Sequence, residues 1–499
     1  MLKTWLTRRD SPTGGLPLLD LPTPHAGCHP LALTAPAELR RWLAELPTAN
    51  AVAACRQLAQ QLSLLVRCPG PLPRLPALLA LLECHVEPLA AQVDAHIRSD
   101  PDRTEQVLFD DVVAWFGALN AELAQLRKRH VNDLLEGQRG ALGEALCAAM
   151  HTLSRQIRLD LSGYHGTPPN TWRDMLQLYE TAGFLQLARH SLGPPESAGR
   201  DLHRLFFGAL LYQMADPLRL PPRASWALYD EALAAAAEVD FVSGPAGPGS
   251  VVIDATGAVP PLAGARRPPR QPPRRRFVLP LGRLLEAAGG DTGYDRLAEC
   301  LRTLEPALNP TPGRRQQRQI RDCALLLHAG FAMVHRRLAA IRRRGGAPEG
   351  DVAVAQGVAC RQLDDSAAGA ALVVERRRHA AVQIGDLVLL EHPAGDPARG
   401  FVARVRRLRL REPGRLEIGV EKLPGRIAPA QLLGEGRDGR ALLHREPAAG
   451  RLELYGPAAR LAVGAELELE VAGATLRLQV LGERERGPHL ARVSVRRLT

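Results

Sequence analysis

Lysine is nearly missing from this chain. Of 64 basic residues among 499, only Lys3, Lys128 and Lys422 are lysine, and arginine supplies the rest. The composition is otherwise rich in alanine, leucine, glycine and proline, so arginine abundance says little by itself and its placement says more. Between Pro261 and Gly345 there are 18 arginines against 6 acidic residues, a local excess of 12 that exceeds the net charge of +11 for the whole chain. An anionic partner should therefore visit this region. Its most basic stretch, "ARRPPRQPPRRRF", has one aromatic residue, which argues against nucleic acid bound by base stacking and favours a solvated linker.

Other absences narrow the field further. No apolar run reaches the roughly 18 residues needed to cross a bilayer. The opening "MLKTWLTRRDSPTGG" has no continuous apolar core and no small-residue cleavage site, so a secretory signal is not supported and a cytoplasmic location is expected. The eight cysteines include no C-x-x-C pair and read as reduced, mostly buried thiols. His25, Cys28 and His29 lack a fourth ligand at metal-binding spacing, which favours a loop. No G-x-x-x-x-G-K-[ST], H-E-x-x-H or G-x-S-x-G segment occurs. "GGDTGYDRL", from Gly289, lacks the residues that complete a diguanylate cyclase signature. The two "EAL" tripeptides, Glu144 to Leu146 and Glu231 to Leu233, lie in helical stretches without a phosphodiesterase's carboxylates. No enzymatic role, cofactor or metal is expected.

The length predicts two to four domains. Residues 1–34 read as an extended segment. From 35 to 242 apolar residues recur at three and four, predicting an all-α helical array that contains four of the five tryptophans. Its first helix, "TAPAELRRWLAEL", should start at Thr34 as N-cap with Pro36 in the first turn. Residues 243–280 are rich in Pro, Gly and Arg and read as a linker, and 281–309 form a helical patch. Beyond Gly357 the apolar period changes to two, as in "VGAELELEV" and "ATLRLQVL", with Gly or Pro at short intervals. The expected fold class is therefore multidomain α + β: an N-terminal helical array, an antiparallel β-barrel over 310–435 and a β-rich extension over 436–499.

Between two apolar runs lies "RQLDDSAAGAALVVE", which holds an Asp-x-Ser-x-x-Gly hexad at Asp364, Ser366 and Gly369. Chance would supply on the order of 0.1 such matches in a chain this long. A tight turn is one explanation, since Asp and Ser cap backbone amides and Gly tolerates positive φ. The other is a ligand site. Upstream, "PGRRQQRQIRDCALLLHAGF" places Arg314, Arg315 and Arg318 directly before what reads as the first strand, "CALLLHAG". With 61 arginines, however, roughly seven R-x-x-x-R matches arise by accident, and Arg266, Arg270 and Arg274 share the spacing. A helix, "GFAMVHRRLAAIRRRGG", is expected between the first two strands.

An R-x-x-x-R segment followed by [D/N]-x-S-x-x-G on a small barrel resembles the PilZ domain family, bacterial receptors for cyclic di-GMP. The resemblance covers roughly residues 310 to 435. More loosely, the whole chain resembles proteobacterial proteins in which a helical region precedes an atypical PilZ-like barrel. The resemblance implies that Arg314, Arg315, Arg318, Asp364, Ser366 and Gly369 contact the dinucleotide, and that the helical region conveys the bound state to a protein partner. The chemistry is compatible: arginine can fork onto guanine O6 and N7 or clamp phosphate, and a carboxylate can accept from the guanine N1–H and N2–H2 edge. The competing expectations are a degenerate PilZ-like scaffold that binds proteins but no nucleotide, and an arginine-mediated nucleic-acid binder.

Overall fold

The computed structural model describes residues 18–99, 103–137, 140–189, 201–242, 250–254, 276–287, 295–302, 319–344, 357–375, 382–392, 400–412, 414–434, 439–446, 450–486 and 490–498. The chain divides into two compact units, Met1–Gly313 and Arg314–Thr499.

The first unit is a helical array: α1 Pro36–Ala44, α2 Ala51–Val66, α3 Leu75–Ser99, α4 Arg103–Glu136, α5 Leu142–Ser162, α6 Pro169–Phe184, α7 Leu202–Met214 and α8 Pro222–Ala235, followed by the short α9 Gly282–Ala287 and α10 Asp295–Arg302. Helix starts follow local chemistry. Asn50 and Asp201 cap α2 and α7 by accepting from Ala53 N (3.0 Å) and Arg204 N (2.8 Å). Thr34 does not act as expected: the N-cap of α1 is Ala35, with no side-chain cap, and Pro36 alone presets the first turn. Within 243–280, β1 Ser250–Asp254 and β2 Arg276–Pro280 form an antiparallel pair, so part of the stretch read as linker is a hairpin. Arg266, Arg270 and Arg274 lie outside the described residues.

Arginines serve as clamps between helices. Arg127 meets Glu83 (2.7 Å), Arg155 meets Glu87 (3.0 Å), and Arg158 meets Asp230 (3.1 Å) while stacking over the Trp226 ring at 3.8 Å. Glu231, from the second "EAL", accepts from Leu297 N (2.8 Å) near the start of α10, a structural use for that carboxylate.

The thiol reading needs one correction. Cys28 and Cys68, forty positions apart, form a disulfide, so not all eight cysteines are reduced and Cys28 is not available as a thiolate ligand. Its partner was invisible because only folding brings residues 28 and 68 together. Cys55 and Cys147 are buried thiols outside the disulfide, pushed up by burial to about 11 and about 12 and hence protonated.

One buried carboxyl gives the helical unit a pH signature. Asp160 Oδ1 accepts from Gln156 Nε2 (2.9 Å), whereas Oδ2 is buried and, among the described residues, has no partner. Burial pushes its carboxyl up from 3.8 to about 7. The folded state thus holds this proton more tightly than the unfolded chain. The contribution is fully present below the unfolded value and is lost as pH rises through about 7. Asp160→Asn should therefore gain on wild type by about 1–3 kcal/mol between pH 4 and pH 8, after allowance for partial solvent screening. Denaturant unfolding at both pH values, followed by tryptophan fluorescence, reads this out; equal stability differences at the two pH values would refute it.

The second unit contains two closed six-stranded antiparallel barrels. The first runs in the order β3-β4-β5-β8-β7-β6: β3 Gln319–Ala329, β4 Val358–Asp365, β5 Gly369–Glu375, β6 Leu387–Glu391, β7 Phe401–Glu412 and β8 Arg415–Lys422. The expected helix, α11 Phe331–Arg344, sits between β3 and β4. The second runs β10-β11-β14-β13-β12-β9: β9 Arg426–Leu432, β10 Arg440–Glu446, β11 Arg451–Pro457, β12 Glu466–Val471, β13 Ala474–Arg486 and β14 Leu490–Arg497. β9, read with the first barrel, bonds instead to β10 and β12, so the chain passes between barrels at Leu423–Gly425. One apolar core unites Val334 of α11 with Leu387, Leu389 and Val402 of the first barrel and Leu442 and Tyr455 of the second, making α11 the filler between them.

Candidate functional site

The hexad occupies the end of β4, a turn and the start of β5. Asp364 lies opposite Ile320 of β3 on one side and Ala371 of β5 on the other. Register shifts between Ile320 and Cys323 and between Gln362 and Asp364 flank this point. Such bulges re-aim side chains and tend to occur beside sites.

Inside the turn the polar groups are fixed by one another. Asp364 Oδ1 accepts from Ala371 N at 3.0 Å. Ser366 N donates to Gly369 O (2.9 Å), Ser366 Oγ donates to the same oxygen (3.0 Å), and Gly369 N donates to Ser366 Oγ (3.1 Å). Gly369 is required by close approach rather than by positive φ: a Cβ there would press into the carbonyl oxygen of Val420 on β8. The close neighbour is the protein's own backbone. The outcome is a rigid strand-end floor whose rim residues Ala367 and Ala368 are exposed.

Around this floor the fold gathers groups that the motif did not name. Lys422, the last residue of β8, donates its backbone N–H to Ala368 O (2.9 Å) and its Nζ to Asp365 Oδ1 (2.6 Å), with the Phe401 ring 4.7 Å from the ammonium. Arg321 Nε lies 3.9 Å from Asp365 Oδ2, and Arg361 Nε lies 3.7 Å from Asp322. Both guanidinium side chains are more than half exposed, which leaves them able to meet an anion. Ile320, opposite Asp364, is 93% exposed, an apolar surface on the strand next to that carboxylate. Together these groups offer a face for a planar base, an acceptor for its N–H edge, and positive charge for phosphate.

The structure brings together Asp364, Ser366 and Gly369. Arg314, Arg315 and Arg318 lie outside the described residues. Lys422, Arg321, Arg361 and Ile320 were missed. For Lys422 a signal existed: in a chain that uses arginine 61 times in 64, a lysine is an unusual choice. A compact ammonium can bond Asp365 and face Phe401 at once. Among the described residues, no group of three His, Cys, Asp or Glu side chains could hold a metal ion, and no helix is long and apolar enough to cross a membrane.

Comparison with known proteins adds one finding. Residues 37–245 match the family model described as "Cyclic-di-GMP receptor FimW, N-terminal domain". The match falls on the helical array, which is thus similar to the N-terminal domain of that receptor. It does not extend to either barrel. No curated protein and no solved structure shows a significant match to the chain.

Proposed function

We propose that the chain is a non-enzymatic, cytoplasmic receptor for cyclic di-GMP, which binds the dinucleotide on the PilZ-like first barrel and passes the bound state through the helical unit to a protein partner. The observation that carries this reading is the Asp364–Gly369 turn on the end of a closed barrel, in a chain whose separate helical half matches a cyclic di-GMP receptor model. In this reading Asp364 accepts from a guanine edge. Arg314, Arg315 and Arg318 contact the ligand, and Arg321, Arg361 and Lys422 add positive charge beside its phosphates.

Calorimetric titration of cyclic di-GMP into the full chain tests it. Asp364→Ala would also remove the acceptor of Ala371 N, so Asp364→Asn, which can retain that bond, is the cleaner variant. Saturable binding is expected for the wild type, with about 10- to 100-fold weaker binding for Asp364→Asn and for Arg318→Ala, the usual cost of a lost charge-assisted contact. Equal affinity in all three would sink the assignment.

A second reading draws on the internal closure of the hexad, whose Ser366 and Gly369 are bonded to each other. A degenerate scaffold would keep that turn and bind no nucleotide. No heat of binding to a folded full chain supports it, whereas a steep salt dependence indifferent to both substitutions points to nucleic acid.

A further inference from the structure

The segment before α1 is bound to the helical unit much as an extended peptide is bound to a receptor. Asn132 of α4, itself buried, grips Leu19 by both backbone groups: its Oδ1 accepts from Leu19 N (2.9 Å) and its Nδ2 donates to Leu19 O (2.9 Å). The Leu19 side chain, 3% exposed, enters the core that also holds Val131 and Trp172. Gln177 Nε2 of α6 donates to Leu18 O (3.4 Å), and Arg173 Nη2 lies 3.2 Å from Asp20. Asp20 also acts electrostatically on the buried Lys128–Asp174 pair (2.6 Å), whose Asp174 Oδ1 has no hydrogen-bond partner among the described residues.

Beyond Leu19 the contacts thin out. No other residue from Leu18 to Thr34 is buried; after residue 24 the segment is held by His25 N donating to Arg67 O (2.9 Å), by the Cys28–Cys68 disulfide and by the partly buried Ala32 and Leu33, which pack on the core of Leu58 and Leu62. A segment with one buried anchor and backbone-directed amides has few contacts to lose on opening.

We propose that the junction of α4 and α6 is a docking site for an extended protein segment carrying a leucine followed by an acidic residue, and that residues 18–20 of this chain occupy it as a tethered competitor. Asn132 supplies backbone recognition independent of sequence. The leucine pocket and the Arg173 and Lys128 charges supply the preference for leucine and then acid. The tether gives the chain's own segment a high effective concentration, so an outside segment must outcompete it. The site requires no dinucleotide, so failure of this inference and failure of the receptor reading are separate results.

The test uses the full chain and a fluorescently labelled synthetic peptide spanning residues 16–24. Leu19→Asp should expel the chain's own segment. Its folded product should bind the peptide at least about tenfold more tightly than wild type, and adding Asn132→Ala should abolish that binding. A folded Leu19→Asp chain that does not bind the peptide overturns the proposal. If Leu19→Asp loses its helical circular dichroism, amide exchange on the wild type decides instead: the Leu19 amide should exchange well ahead of the Val131 amide, and exchange only together with Val131 would make the segment a fixed part of the core.

Discussion

Lys128→Met is expected to lower the stability of the helical unit by about 3–5 kcal/mol, the cost of leaving a buried charge without its partner. Lys128 and Asp174 are 3% and 1% exposed at their side chains and meet at 2.6 Å. Burial lowers the lysine and raises the aspartate, so each ion is tolerated only because the other is present. In the variant, Asp174 should take up a proton on folding. The deficit should therefore shrink as pH falls, because the folded variant binds that proton more tightly than the unfolded chain does. Lys128→Met with Asp174→Leu should recover much of the loss. All five tryptophans precede residue 230, so tryptophan fluorescence during urea unfolding follows the helical unit alone. A loss below about 1 kcal/mol in the single variant would show that the pair is not what holds α4 to α6.

Gly369→Ala should disturb the hexad and the first barrel together. The added Cβ meets the Val420 carbonyl, a backbone atom at the turn end of the β5–β8 pairing, where Gly369 lies opposite Glu421 and Ala370 opposite Val420. Overpacking against backbone costs about 2–3 kcal/mol, which corresponds to amide exchange in β5 and β8 about 30- to 150-fold faster than wild type. Ser366→Ala removes only hydrogen bonds within the turn and should cost about 1 kcal/mol. If Gly369→Ala leaves exchange in both strands unchanged, the glycine is not there for strand packing, and its role must be sought at the ligand.

These two residues show where sequence reasoning reached and where it stopped. The hexad was legible because a turn is local: Asp, Ser and Gly at close spacing announce it whatever the rest of the chain does. What Gly369 is for was not legible, because its neighbour Val420 is 51 positions away. Lys128 lies in "LAQLRKRH", where it looks like one more solvated charge, until Asp174 arrives from 46 residues further on. Lys422 reads as the polar end of a strand, yet it holds both Asp365 and the backbone of Ala368. Cys28 and Cys68 look like unrelated thiols.

By itself, then, the sequence determined the succession of a helical array and antiparallel strands, the helix between β3 and β4, and the turn that carries Asp364, Ser366 and Gly369. Periods of 3.6 and 2 and the chemistry of turns are properties of neighbours along the chain. Only the tertiary structure decided that the β-rich tail closes into a second barrel with β9 as its own strand. It alone decided that α11 fills the space between the barrels, that Lys422, Arg321, Arg361 and Ile320 surround the turn, and that Asn132 grips Leu19. Strand partners, ion pairs and close backbone approaches join residues tens of positions apart, and each forms only once the rest of the core has brought its partner within reach.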